Sequence, residues 1–269
     1  MDIVYSARSH KGLVRENNED NFFADGICLT PKFRSRPFSI DCTAVVPAVL
    51  AVCDGMGGSE DGEEASRIAT ELLGDFQNFI KTSPSERLGG VINDYVEKAS
   101  YSVNSYSQKT GTTLALAVII KNRIRCFNIG DSRIYSLNSG HFSRVTNDHT
   151  KGQRLVENGT VAQNDARTIK GGNSLTRCIG MGQSFEVESY SPIEPDCRLL
   201  ICSDGLSDMV SDEVIEQLLK IAKNTCECAD ALLKTALENG GGDNVTLIVA
   251  DVKRDTAFRR ISDFFKKRR

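Results

Sequence analysis

The sequence is short of long apolar runs. Its longest, residues 114–120, falls far below the ~20 residues that a membrane-crossing helix requires. The opening Met1-Asp2-Ile3-Val4-Tyr5 has no basic cluster followed by an apolar core, so no secretory leader is expected. The nine cysteines are scattered and odd in number, and Cys28, Cys53, Cys126 and Cys202 sit inside apolar runs, as buried thiols do. No second pair and no histidines at ligand spacing accompany Cys226-Glu227-Cys228, which argues against a zinc site. These absences point to a reducing cytoplasm and structural cysteines. No internal repeat or linker divides the chain. No Gly-Lys-Ser/Thr follows Gly57-Gly58, so an NTPase-type phosphate loop is not expected.

What is present fits one large globular domain. With 269 residues, 40% of them hydrophobic, the chain can bury a sizeable core. The net charge of −3 is segregated: from Lys253 to the end, eight basic residues face two acidic ones. The tail therefore carries +6 and the rest of the chain −9. A body that acidic argues against nucleic acid as the main partner. Within the tail, Phe258, Ile261, Phe264 and Phe265 share one helical face among arginines and lysines. That end could touch an anionic membrane surface or an acidic partner, or pack on the body with its charges solvated.

Strand character is expected over residues 3–7, 21–23, 44–53, 113–120, 123–129, 133–137, 141–145, 185–190, 198–202 and 245–252. Lys121-Asn122 and Asn138-Ser139-Gly140 read as hairpin turns. Helical spacing of Ala65, Ile68, Ala69, Leu72, Leu73, Phe76 and Phe79 marks one helix. A second is expected to open on a capping box, Ser83-Pro84-Ser85-Glu86, and to bury Leu88, Ile92, Tyr95, Val96, Ala99 and Val103. Val214, Ile215, Leu218, Leu219 and Ala222 mark a third helix. Ala229, Leu232, Leu233, Ala236 and Leu237 mark a fourth, closed by Asn239-Gly240. Residues 30–37 read as a basic loop, and residues 150–184 as a mobile flap with a short helix. The order strands, two helices, strands, two helices, strand predicts an α+β fold: a four-layer α-β-β-α sandwich of antiparallel sheets flanked by helical pairs.

Five acidic segments punctuate this pattern: Arg15-Glu16-Asn17-Asn18-Glu19-Asp20, Asp54-Gly55-Met56-Gly57-Gly58, Gly130-Asp131-Ser132-Arg133, Ser203-Asp204-Gly205-Leu206-Ser207-Asp208 and Gly242-Asp243-Asn244. Any single Asp-Gly pair can be turn chemistry alone. Four of the five, however, place an aspartate beside a strand-like run, so a sheet would gather the carboxylates at one end. Two close carboxylates repel by roughly 4 kcal/mol at an effective dielectric near 20. Hard divalent cations with oxygen ligands answer that repulsion.

Together with Gly111-Thr112-Thr113 and the extension Val245-Thr246, these motifs resemble, in order, those of the metal-dependent protein phosphatase (PPM, type 2C) family, in its bacterial serine/threonine form. The resemblance covers residues 3–252. It implies a phosphatase domain over residues 1–252, with residues 253–269 a basic tail or helix. It also implies hydrolysis of phosphoserine and phosphothreonine by a water or hydroxide bridging two, or with a weaker site three, Mn²⁺ or Mg²⁺ ions. Asp54 is similar to the bridging carboxylate, Asp204 and Asp243 to the ligands completing the first metal, and Gly55 to the carbonyl donor of the second. Glu19 and Asp20 resemble the carboxylates holding the second metal and its waters, Asp131 and Asp208 the third-metal ligands, and Arg15 the phosphate-binding guanidinium.

Other readings stand beside these. Arg15 could form a surface salt bridge to Glu16 or Glu19, and Asp131 and Asp208 could cap turns or helices. No histidine lies between Arg15 and Gly58, where or near where eukaryotic members carry a general acid. His149 is the nearest substitute, with a structural hydrogen bond as its alternative. The expected partners are phosphoproteins, a serine/threonine kinase or its targets, with the chain a cytoplasmic monomer. The alternative function is a catalytically silent phosphoprotein-binding or regulatory module of the same fold.

Overall fold

A computed structural model describes residues 2–31, 36–57, 61–120, 123–166, 169–182 and 185–254. One sheet runs, in spatial order, β10 (His141–Arg144), β9 (Arg133–Asn138), β13 (Cys197–Cys202), β14 (Val245–Lys253), β1 (Asp2–His10) and β4 (Phe38–Val45). The other runs β11 (Ile179–Gly180), β6 (Gly111–Thr112), β5 (Ala48–Met56), β7 (Leu114–Ile120), β8 (Arg123–Ile129) and β12 (Glu188–Ser189). On it, β2 (Asp20–Ala24) pairs with β5, and β3 (Ile27–Cys28) with β2. The ladders are antiparallel.

Strand alternation builds the layers. On β5, Ala48, Leu50 and Val52 face the other sheet, while Val49, Ala51 and Cys53 face the helices α1 (Asp61–Thr82) and α2 (Leu88–Tyr106). On β14, Ile248, Ala250 and Val252 point inward, and Val245, Leu247 and Val249 meet α5 (Asp212–Ile221) and α6 (Thr225–Glu238). Both faces of these strands are covered, which is why they read as continuous apolar runs. The expected four-layer α-β-β-α sandwich is the architecture observed. Tyr95 Oη donates to the Ala69 carbonyl at 2.9 Å, joining α1 to α2.

Several local expectations change. The run 44–53 is two strands in different sheets, because Pro47 interrupts it and the chain crosses from β4 to β5 there. Ser83-Pro84-Ser85-Glu86 does not cap α2. Ser83 closes α1 instead, its hydroxyl and N–H both donating to the Phe79 carbonyl, and α2 follows Arg87, which makes no side-chain cap bond. Phe79 is 65% exposed while Ile80 is fully buried, so the last turn of α1 presents a different residue to the core. Of residues 185–190 only Glu188–Ser189 pair as a strand, and Asn93 Oδ1 takes the Val187 N–H.

The segment expected as a flap holds α3 (Lys151–Glu157), N-capped by Thr150, but its end is core: Ile179 is fully buried and β11 joins β6. Asn138 pairs with His141, leaving Ser139 and Gly140 as a two-residue turn with φ of 51° and 83°, as a type I′ hairpin requires. Ile120 pairs with Arg123; Lys121-Asn122 lies outside the described residues. So do residues 32–35 of the basic loop and residues 255–269, the apolar face Phe258, Ile261, Phe264 and Phe265 included. No disulfide joins the nine cysteines. No described helix is long and apolar enough to cross a membrane.

Candidate active site

The strands deliver their acids to one end of the sandwich. There a cleft of about 530 Å³ is lined by Arg15, Glu19, Asp54, Gly55, Asp131, Asp204 and Asp243, with Asn173, Leu175 and Met181 from the segment after α3. Asp20 and Asp54 are direct partners in the β2–β5 ladder. Asp20 is 1% exposed. Its Oδ2 accepts the Ser203 hydroxyl at 2.7 Å, and its Oδ1 is buried without a hydrogen-bond partner. Burial pushes the Asp20 carboxyl well above the usual range; Ser203 and Thr246 oppose the shift, and Asp204 and Asp243 add to it. Asp54 is raised likewise, by burial first and then by Asp20, Asp204, Asp131 and Asp243. Burial also raises Glu19, with Arg15 opposing it.

Two glycines sit in close contact at the site, Gly55 against backbone and Gly62 against a side chain. A Cβ on Gly55 would lie 2.0 Å from the Gly62 carbonyl oxygen, so any side chain would force β5 and α1 apart. On Gly62 it would lie 2.3 Å from Glu19 Oε2, placing the Glu19 carboxylate against the first turn of α1. Gly55 is thus a spatial requirement, not only a turn former.

Arg15 is 54% exposed and pairs with Asp243, Nη2 to Oδ2, at 2.7 Å, rather than with Glu16 or Glu19. Asp204 opens the short helix α4 (Asp204–Ser207), directly after β13. Asp208 is the C-cap of that helix, exposed, and does not line the cleft. Asp131 lines the cleft yet is only 5% exposed. His149 is 7% exposed, outside the cleft lining, with both ring nitrogens engaged, by the Gly130 N–H and by Glu188. Its geometry is that of the structural alternative, not of a general acid.

Three residues without a role in the sequence reading hold the site together. Asn244 Oδ1 accepts the Glu19 N–H at 2.7 Å, and its Nδ2 donates to the carbonyls of Lys11 and Asn17, both at 2.8 Å. Ser203 bonds Asp20, and Thr113 Oγ1 accepts the Asp54 N–H at 2.9 Å. All three lie inside the quoted motifs; Ser203 and Asn244 each adjoin a ligand-type aspartate, whereas Thr113 has no acidic neighbour in sequence to mark it.

Among the described residues, no three carboxylate, histidine or cysteine side chains are already set around a common point as metal ligands. The fit to a cation therefore rests on the donor set. It is all oxygen, negatively charged, and includes an orphaned buried carboxylate oxygen on Asp20. Hard divalent ions suit such donors; a Cys/His metal does not. No cysteine lines the cleft, and burial pushes the Cys178 thiol up to about 11, away from nucleophile chemistry.

Comparison with known proteins agrees with this chemistry. A family model, Protein phosphatase 2C, matches residues 41–239. The serine/threonine protein phosphatase PstP of Mycobacterium tuberculosis is 33% identical over 257 residues, covering 93% of this chain and 45% of PstP. The chain thus spans about half the length of that relative. The serine/threonine phosphatase stp of Listeria monocytogenes is 29% identical over 256 residues, 92% of this chain and 94% of the relative. The solved catalytic domain of PstP in complex with two manganese ions has a TM-score of 0.74 at 32% identity, covering 94% of this chain and 100% of that one. A family model that matches residues 41–239, and a relative one-third identical over nearly the whole chain, place this protein in the protein phosphatase 2C family.

Proposed function

We propose that the chain is a metal-dependent serine/threonine protein phosphatase that hydrolyses phosphoserine and phosphothreonine on proteins and opposes serine/threonine kinases. The observation that carries the reading is the Asp20–Asp54 pair: two ladder-partnered carboxylates, one with an orphaned oxygen, raised by burial among further acids. Asp54 has two oxygens to share between two ions. Asp204 and Asp243 would complete the first site, the Gly55 carbonyl with Glu19 and Asp20 the second, and Asp131, with Asp208 reaching in from outside the cleft lining, a weaker third. Mn²⁺ or Mg²⁺ suits these donors, as the two manganese ions of the PstP domain suggest. When bound, such ions supply an activated water at neutral pH and neutralise phosphoryl charge.

The protein's own groups do the rest. Arg15 offers two parallel N–H donors to the substrate phosphate. Taking up that role means leaving Asp243, and an exposed pair of this kind costs at most ~1 kcal/mol to break. Asn244, Ser203 and Thr113 hold the carboxylates in place through the bonds described. Residues 1–252 form the phosphatase domain, which β14 carries to Lys253, with residues 253–269 a basic appendage. Phosphoproteins are the partners, and the chain acts as a cytoplasmic monomer.

Hydrolysis of a phosphothreonine peptide with Mn²⁺, with EDTA, and by Asp204→Asn tests this. Turnover should require metal and collapse in the variant. Metal binding without turnover in the wild type would overturn the catalytic reading in favour of a silent phosphoprotein-binding module.

A further inference from the structure

His149 grips the turn that carries Asp131. Its Nδ1 accepts the Gly130 N–H at 3.1 Å, and its backbone N–H donates to the Gly130 carbonyl at 2.9 Å. Because Nδ1 accepts, the ring proton sits on Nε2 and is donated to Glu188 Oε2, 2.6 Å away. Asn128 Nδ2 donates to the same Gly130 carbonyl at 3.1 Å and to that of Asn147 at 3.0 Å. The turn has little freedom: Gly130 has φ of 103°, and a Cβ there would lie 2.5 Å from Thr113 Cγ2.

On the other side of Asp131, Ser132 Oγ lies 2.6 Å from Thr113 Oγ1, the atom that accepts the Asp54 N–H. Both neighbours of Asp131 are therefore clamped, and one clamp is shared with Asp54. We propose that His149, anchored by Glu188, is the positioning residue that sets Asp131 against Asp54. This rests on the reading of Asp131 as a metal ligand. Without the imidazole, the buried Gly130 N–H loses its acceptor, the turn relaxes, and Asp131 is no longer held at a fixed place relative to Asp54. Outer-shell partners of this kind are typically worth about 10–100-fold in metal affinity.

Mn²⁺ binding to the full chain, followed by the paramagnetic resonance signal of free Mn²⁺, tests the proposal. Asp131→Asn should remove the weakest class of site. His149→Ala should weaken that class about 10–100-fold and spare the tighter sites. His149→Asn places an acceptor where Nδ1 stood and should recover most of the loss. The double variant Asp131→Asn/His149→Ala should bind as Asp131→Asn does. Wild-type binding in His149→Ala, or a double variant weaker than Asp131→Asn, overturns the proposal alone. Wild-type binding in Asp131→Asn overturns the ligand reading and the proposal with it. If His149→Ala does not fold, Glu188→Gln reads the same clamp: it should weaken the same class by a smaller factor, and unchanged binding would overturn the role of the anchor.

Discussion

Asp148 and Asp20 are both buried aspartates, 5% and 1% exposed, with opposite surroundings. Asp148 meets a guanidinium fork, Arg133 Nε to Oδ1 at 2.9 Å and Nη2 to Oδ2 at 2.6 Å, and Arg133 also donates to Tyr135. Asp20 meets hydroxyls and no cation: Ser203 donates to its Oδ2, its Oδ1 has no hydrogen-bond partner, and its charged neighbours Asp54, Asp204 and Asp243 are acidic. Where the fold supplies its own counter-charge, a buried acid is structural. Where it withholds one, the acid is left short of counter-charge, the condition that a cation would relieve. The same residue type is compensated in one region and uncompensated in the other.

The largest expected effect breaks the self-sufficient side. Arg133→Ala leaves Asp148 buried and without its main counter-charge, and should cost about 3–5 kcal/mol in denaturant unfolding; a loss below about 1 kcal/mol would erase the contrast. On the other side, Arg15→Ala should remove charge-assisted phosphate contacts worth about 1.5–3 kcal/mol, read as a fall in kcat/KM for a phosphopeptide. The same change should alter stability by less than about 1 kcal/mol, because the Arg15–Asp243 pair is exposed.

A pH series in EDTA sharpens the comparison. The folded carboxyl of Asp20 is raised by burial, so the native state holds its proton to higher pH than the unfolded chain does. Its ionisation therefore weakens folding as pH climbs from the ordinary aspartate range near 4 through the raised value, by about 1.4 kcal/mol for every pH unit between the two. Asp20→Asn should gain stability relative to wild type over that window and not below it. A constant difference across the series would mean that the Asp20 carboxyl titrates in its ordinary range. The smallest effect is remote: Asn224 Oδ1 caps α6 through the Glu227 N–H at 2.8 Å, and Asn224→Ala should cost about 1 kcal/mol in thermal unfolding without changing metal response.

The site was more legible than the strand boundaries. Asp54, Asp204 and Asp243 adjoin apolar runs buried on both faces, so composition and position pointed to the same end of the sheets. β4 was harder: its period-2 pattern, with half-buried Phe38, Ile40, Cys42 and Ala44, merges at Ala44 into the run that continues past Pro47. Ser83 satisfies the sequence rule for an N-cap but is used to end the preceding helix, a choice set by where α1 stops against the sheet. The bridging roles of Asn244 and Thr113 depend on which strands become neighbours. Local pattern does not carry that information.

The most direct test of the account follows the unfolding free energy of wild type and Asp54→Asn as Mn²⁺ is added. Wild type should gain about 2.7 kcal/mol when free Mn²⁺ reaches a hundredfold above its dissociation constant, and Asp54→Asn should gain almost none at the same concentration. An equal gain in both proteins would contradict the claim that the cleft acids are left uncompensated for a cation.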